Sequence, residues 1–222
     1  MNQLLRFNPP SRATLPLLML AGCLGLPAEA GEAPPYECGE NMSGTLEETI
    51  CTDQNLSALD RKMAEVYSAA QQKAAAENPA GLEERQRGWL ESRDACEKAA
   101  EPSECLQESY TQRIAELQAR YGLVPISGTF TYTCDDDQNK IIHARFYETN
   151  PPSLYAEYGE QSAVMIAQPS STGAKYAGLD ETTLWEHDND ALVTWGDDSP
   201  AMKCIKTPLI APTGEAPGKA GG

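Results

Sequence analysis

Histidine is nearly absent from this chain: His143 and His187 are the two in 222 residues. Bases are also scarce, 17 lysines and arginines against 33 acids, which leaves a formal net charge of −16. Each shortage excludes something. Two imidazoles leave multi-histidine metal centres and most triad chemistry out of reach. The excess of acid excludes nucleic acid as a partner, because phosphate backbones are held by lysine and arginine. The same charge favours solubility and would steer a cationic protein towards this one. No G-x-S-x-G elbow, H-E-x-x-H helix, phosphate loop or dinucleotide fingerprint occurs. Thirty-three acids supply carboxylate pairs by chance, so a two-carboxylate glycosidase site is not singled out either. The chain reads as a non-enzyme without cofactor or metal; His187, Asp188 and Asp190 read as a hydrated turn.

Long apolar runs are lacking too, with one exception at the start. Residues 1–23, MNQLLRFNPPSRATLPLLMLAGC, carry Arg6 and Arg12, no acid, and an apolar run from Ala13 to Gly22. A positive start followed by a hydrophobic stretch too short to span a bilayer is the physics of an export signal. The run ends in Leu20-Ala21-Gly22-Cys23, which resembles a bacterial lipobox. That reading makes residues 1–22 a signal peptide and Cys23 the lipidated first residue, several acyl chains being enough for stable anchoring. The alternative is a simple secretory cut after Ala28-Glu29-Ala30. Leu24 in place of an aspartate favours the outer membrane, facing the periplasm, over the inner. Contact with membrane is expected through this lipid alone. Loss of Arg6 and Arg12 deepens the net charge to about −18.

Six further cysteines remain at 38, 51, 96, 105, 134 and 204. An even set in an exported protein reads as disulfides, and zinc spacing is missing because no two lie two to four residues apart. Residues 23–35 form a Pro/Gly/Ala tether. Residues 36–123 read as about three antiparallel helices. Asp53 is a candidate N-cap, and Leu56, Leu59, Met63, Val66, Tyr67 and Ala70 recur at helical spacing. Asn78-Pro79-Ala80-Gly81 breaks that helix. Leu82, Trp89, Leu90 and Cys96 mark a second, and Leu106, Tyr110, Ile114, Leu117 and Tyr121 a third that stops at Gly122.

From residue 126 to 208 the period becomes alternating: FTYTC, IIHARFYE, SLYAEYG, SAVMIAQ, TTLWE, DALVTWG and AMKCIK are separated by turn residues. Seven to eight strands in this length give a small antiparallel barrel or sandwich, and the whole chain is α+β in two domains. Residues 209–222 read as a disordered tail. The cysteines divide at the same boundary, so Cys134–Cys204 should tie the first strand to the last. The four helical cysteines allow three pairings, of which the local ones, Cys38–Cys51 and Cys96–Cys105, are expected.

Two stretches carry resemblances. CTDQNLSALDRKMAEVY, ERQRGWLESRDAC and the C-L-x-x-x-Y-x-x-R-I run from Cys105 to Ile114 resemble the LprI-type lysozyme inhibitor family. YTCD at Tyr132 to Asp135, G-A-K-Y at Gly173 to Tyr176, L-W-x-x-x-x-D-A from Leu184 to Ala191 and the final Cys204 resemble the MliC-type family. That family implies an antiparallel barrel that inhibits C-type lysozyme, a cationic protein, in the cell envelope. Its loop serine and a lysine two residues after a tryptophan meet the enzyme's catalytic carboxylates. A hydroxyl and an ammonium there would form charge-assisted hydrogen bonds and exclude sugar. The resemblance therefore implies inhibitory contacts at Thr172, Gly173, Lys175, Tyr176 and His187.

This chain departs from that pattern. Thr172 stands for the serine, His187 for the lysine, the interval between them is one residue longer, and Asp188 replaces a glycine. Imidazole is shorter than a lysine chain and only partly charged near neutrality. Lys175 is retained and could supply the cation instead. The competing reading is an envelope lipoprotein of structural or adhesive function.

Overall fold

The computed structural model describes residues 38, 45–75, 79–178 and 181–209. The expected signal peptide, Cys23, the tether and the tail beyond Leu209 lie outside these residues. Helices come first and strands follow: α1 (Leu46–Thr52), α2 (Gln54–Ala74), α3 (Pro79–Asp94), a 3-10 turn (Ala95–Lys98) and α4 (Pro102–Arg120). The strands are β1 (Ile126–Cys134), β2 (Ile141–Tyr147), β3 (Ser153–Tyr158), β4 (Gln161–Gln168), β5 (Ala174–Ala177), β6 (Thr183–His187), β7 (Asp190–Thr194) and β8 (Met202–Pro208).

Among the described residues the helical part has four helices, where about three are expected from the sequence. Asp53 ends α1 and starts α2 at once. It takes an extended conformation, and its carboxylate accepts from the Asn55 and Leu56 amides at 2.8 and 3.2 Å. The capping position read from sequence was therefore sound, but a short helix with its own cap, Thr45, precedes it. Gly122 terminates α4 in the left-handed region (φ +57°). The Gly122 amide then bonds the Ala119 carbonyl at 3.3 Å and the Leu123 amide that of Gln118 at 2.9 Å. These are the two bonds of a Schellman stop, which only a residue free of a Cβ penalty enters cheaply.

Leu46, Ile50, Leu56, Met63, Val66, Leu82, Leu106, Tyr110 and Leu117 close into one helical core. Its polar centre is Tyr110, whose buried hydroxyl donates to Asp60 Oδ1 at 2.6 Å and accepts from Arg93 Nη1 at 3.2 Å. Burial and then the Asp60 bond push that phenol far above its usual titration range. Arg93 is also ion-paired to Asp94 at 2.7 Å and lies 5.7 Å from the centroid of Trp89. Trp89 in turn donates to Ser109 and meets Tyr110 edge to face at 5.3 Å. The tryptophan–arginine–cysteine and tyrosine segments of the sequence are thus one network, in which Arg93 pairs and Trp89 packs.

All eight strands close into an antiparallel barrel in sequence order, β8 returning to β1. Among the described residues three disulfides join Cys38 to Cys51, Cys96 to Cys105 and Cys134 to Cys204. The last sits on the closing seam, where Cys134 and Cys204 are register partners. Asp135, next in the chain, has φ 53° and accepts from Lys140 Nζ at 2.9 Å and the Lys203 amide at 3.1 Å. Lys140 first and the Lys203 amide second hold its carboxyl below the usual carboxylate range.

The barrel interior is apolar except on one side. Tyr132, Ile142, Ala144, Leu154, Met165, Leu184 and Val193 fill it. Among them the carboxylate of Glu186, 8% exposed, is ion-paired to Lys206 Nζ at 2.7 Å and accepts a short hydrogen bond from the Tyr132 hydroxyl. The ammonium of Lys206 lies 3.9 Å from the Phe130 ring centroid and 5.2 Å from that of Phe146. The pair is therefore compensated from both sides, by a hydroxyl on the anion and aromatic faces on the cation.

The helices and barrel fall in one compact unit. A third cluster, Ala119, Tyr147 and Val164 with Val124 and Tyr155, joins α4 to the outer surface of the barrel.

Two stability tests follow from the barrel. Replacing Cys134 and Cys204 by serine opens the closing seam and should lower unfolding free energy by about 2–5 kcal/mol in urea titrations. Glu186→Ala leaves an uncompensated buried ammonium and should cost about 3–5 kcal/mol, whereas Glu186→Leu with Lys206→Met should recover most of that loss. Equal losses for the single and double substitutions would refute a charge-pair origin.

Candidate functional site

The stretch Ser171–Asp190 contains β5, β6 and the turn into β7. In β5–β6, Ala174 pairs with Glu186, Lys175 with Trp185 and Tyr176 with Leu184. Strand period two then sorts the side chains. Glu186 and Leu184 are buried inside the barrel, so Trp185 and His187 point outward, and Lys175 lies beside Trp185 on that outer face. Lys175 and Tyr176 belong to β5.

Tyr176 takes the opposite face from Lys175. Its ring meets Phe146 edge to face at 5.4 Å and packs on the barrel core. Burial first, then the charge of Glu186, raises its phenol above the usual range. Tyr176 is half-buried, with its ring turned towards the core side of the strand.

Thr172 and Gly173 precede β5. Trp185 Nε1 donates to the Thr172 carbonyl at 2.9 Å, and Ser170 Oγ donates to the same oxygen at 2.6 Å. The loop is thus tied to β6 through the indole, and the Thr172 side chain stays exposed. Gly173 has φ +64°, and a Cβ there would clash with the Glu186 carbonyl oxygen and come within 3.0 Å of the His187 ring. Only glycine lets loop and strand approach this closely. The His187 imidazole is held between this glycine and Trp185, whose ring centroid is 4.9 Å away. Asp188 follows in the left-handed region at φ 55°, which explains why a glycine suits this turn.

Thr172, Gly173, Lys175 and His187 are therefore neighbours on one outer face. Trp185 joins them as the residue that fastens the loop. It was visible in the L-W motif but was not among the expected contacts, because sequence does not reveal that its N–H reaches a backbone carbonyl thirteen residues earlier. Further along the same outer surface lie Leu192 and Ile205, 41% and 50% exposed, with Asp190 and Lys203 around them. The other histidine, His143, is exposed on β2 beside the Thr131 hydroxyl, 3.4 Å away. Among the described residues no group of three or more His, Cys, Asp or Glu is placed to hold a metal ion. No helix among them is long and apolar enough to cross a membrane.

Comparison with known proteins agrees with this organisation. Residues 38–117 match the family model for lysozyme inhibitor LprI. Residues 132–202 match that for the membrane-bound lysozyme-inhibitor of c-type lysozyme, MliC. The lipoprotein LprI of Mycobacterium tuberculosis is 27% identical over 179 residues, covering 78% of this chain and 87% of the relative. Lipoprotein LprI of Mycobacterium bovis matches equally well. No solved structure matches significantly. In N- to C-terminal order, the chain carries an LprI-type helical domain followed by an MliC-type β-barrel domain.

Proposed function

We propose that this protein is an exported, lipid-anchored inhibitor of C-type lysozyme, acting from the periplasmic face of the outer membrane. The barrel presents the β5–β6 hairpin and the loop before it to the active-site cleft. The observation that carries the reading is the common outer face of Thr172, Gly173, Lys175 and His187, fixed by the Trp185 bond to Thr172. A hydroxyl and one or two cationic groups are displayed there, suited to the two carboxylates of a glycosidase groove. The chain's net charge of −16 supports the encounter, since it attracts a basic enzyme over distance. Exposed Leu192 and Ile205 offer apolar area beside the hairpin for the rim of such a contact.

The role is inhibitory and not catalytic. The decisive measurement is clearance of a bacterial-wall suspension by C-type lysozyme with and without the purified protein. Micromolar protein should slow clearance, and protein alone should produce none. No slowing would favour an envelope-binding lipoprotein instead, and clearance without lysozyme would make the protein itself an enzyme.

Lys175→Ala and His187→Ala should each weaken inhibition about tenfold or more, the loss expected for a charge-assisted hydrogen bond. If neither changes it, these side chains are not the contacts. Asp188→Gly removes an acid facing an acidic target and relieves a left-handed aspartate. It should strengthen inhibition, with folding stability unchanged or raised by at most about 1 kcal/mol; weaker inhibition by this variant would count against the assigned face.

A further inference from the structure

A second concave surface lies away from the hairpin, between the helices and the barrel. α3 and α4 form one wall, and the outer side of β4 with Gly178, Thr182, Trp195 and Gly196 forms the other. Its volume is about 1120 Å³, larger than most small-molecule pockets of roughly 300–1,000 Å³.

The chemistry of its lining differs from that of the protein as a whole. Arg85, Arg113 and Arg120 face two acids, Glu108 and Glu116, in a chain whose acids outnumber its bases 33 to 17. Glu116 is already shared: Arg113 Nη1 reaches it at 2.6 Å and Arg120 Nε at 3.6 Å. Glu108 is exposed and accepts from Gln112 at 2.8 Å. Arg85 donates to the Tyr121 hydroxyl at 2.9 Å, and no carboxylate among the described residues reaches it. The buried Nε–H of Arg85 has no hydrogen-bond acceptor, whereas that of Arg120 lies 3.6 Å from Glu116 Oε1. The Arg85 guanidinium, left without a carboxylate in a half-buried wall, calls for an anion. Burial lowers the pKa of Arg120, Glu116 acts in the opposite sense, and the nearby charge of Arg85 adds to the lowering.

The remaining lining is neutral and suited to hydroxyl-rich ligands. Gln112, Gln161 and Gln168 supply amides that both donate and accept, and Ser92, Ser109 and Ser162 supply hydroxyls. Two indoles, Trp89 and Trp195, complete it. Amides, hydroxyls and indoles match the alternating polar edges and apolar faces of sugar rings, and the arginines match a carboxylate.

We infer that the groove between the helical part and the barrel binds a carboxylate-bearing oligosaccharide, with Arg85 receiving the acid group. This site is separate from the hairpin and does not depend on the reading of the hairpin as a lysozyme contact. It gives the protein a hold on acidic glycan while the hairpin remains free.

The full-length protein should be titrated calorimetrically with a hyaluronan tetrasaccharide, which alternates N-acetylglucosamine with glucuronate, and with uncharged chitotetraose. The acidic sugar should bind saturably and at least tenfold more tightly than the neutral one. Arg85→Gln should abolish that preference while Arg85→Lys retains part of it. Both variants should unfold at the parent's temperature, which verifies folding without reference to lysozyme. In nitrogen-15 spectra the indole N–H signals of Trp89 and Trp195 should move on addition of the acidic sugar. Absence of saturable binding, equal binding of the two sugars, or an unchanged preference in Arg85→Gln would each overturn the inference.

Discussion

A carboxylate inside a barrel has to find a cation, and Glu186 finds Lys206. The outer geometry of the hairpin depends on that pairing. Because Glu186 is held inward by Lys206 and Tyr132, its neighbours Trp185 and His187 must face outward, and a one-residue slip would reverse all three. The Glu186 carbonyl also sets how closely the preceding loop can approach, which explains why position 173 tolerates nothing larger than glycine. The ion pair thus acts through register: it specifies which face of β6 meets the outside. Lys206 is itself fixed by Phe130 and Phe146, and Phe146 also holds Tyr176. The interior and the displayed face are one arrangement seen from two sides.

The helical part uses the same device with different groups. Its core is closed by a phenol between a carboxylate and a guanidinium, Asp60–Tyr110–Arg93, rather than by apolar packing alone. These groups lie on α2, α4 and α3, so the network specifies how three helices meet, a matter that interchangeable leucines leave open. One local disulfide fastens α1 to the residue at 38, another fastens the α3–α4 connection, and the seam disulfide fastens the barrel. Both halves are small enough for such staples to matter.

Much of the architecture was legible because it follows from periodicity and punctuation. Apolar spacing located α2, α3 and α4, and Gly122 marked the end of the last. Alternating runs located seven strands. α1 escaped notice because seven residues are too few to display a helical period. β5 escaped because four residues with two glycines nearby read as a loop. Of the expected contacts, Thr172, Gly173, Lys175 and His187 come together on one face, while Tyr176 turns inward because it is adjacent in sequence to Lys175 and a strand places neighbours on opposite sides.

Sequence alone determined the class of the molecule: helices then strands, an acidic charge, and motifs that point to two inhibitor families. These are local or additive properties, carried by spacing, composition and short signatures. Tertiary structure decided which of the marked residues are displayed and which are buried. Barrel closure brings Glu186 to Lys206, and the packing of α4 on the barrel creates the arginine-lined groove. Both depend on contacts between residues far apart in the chain, whose partners no local pattern names.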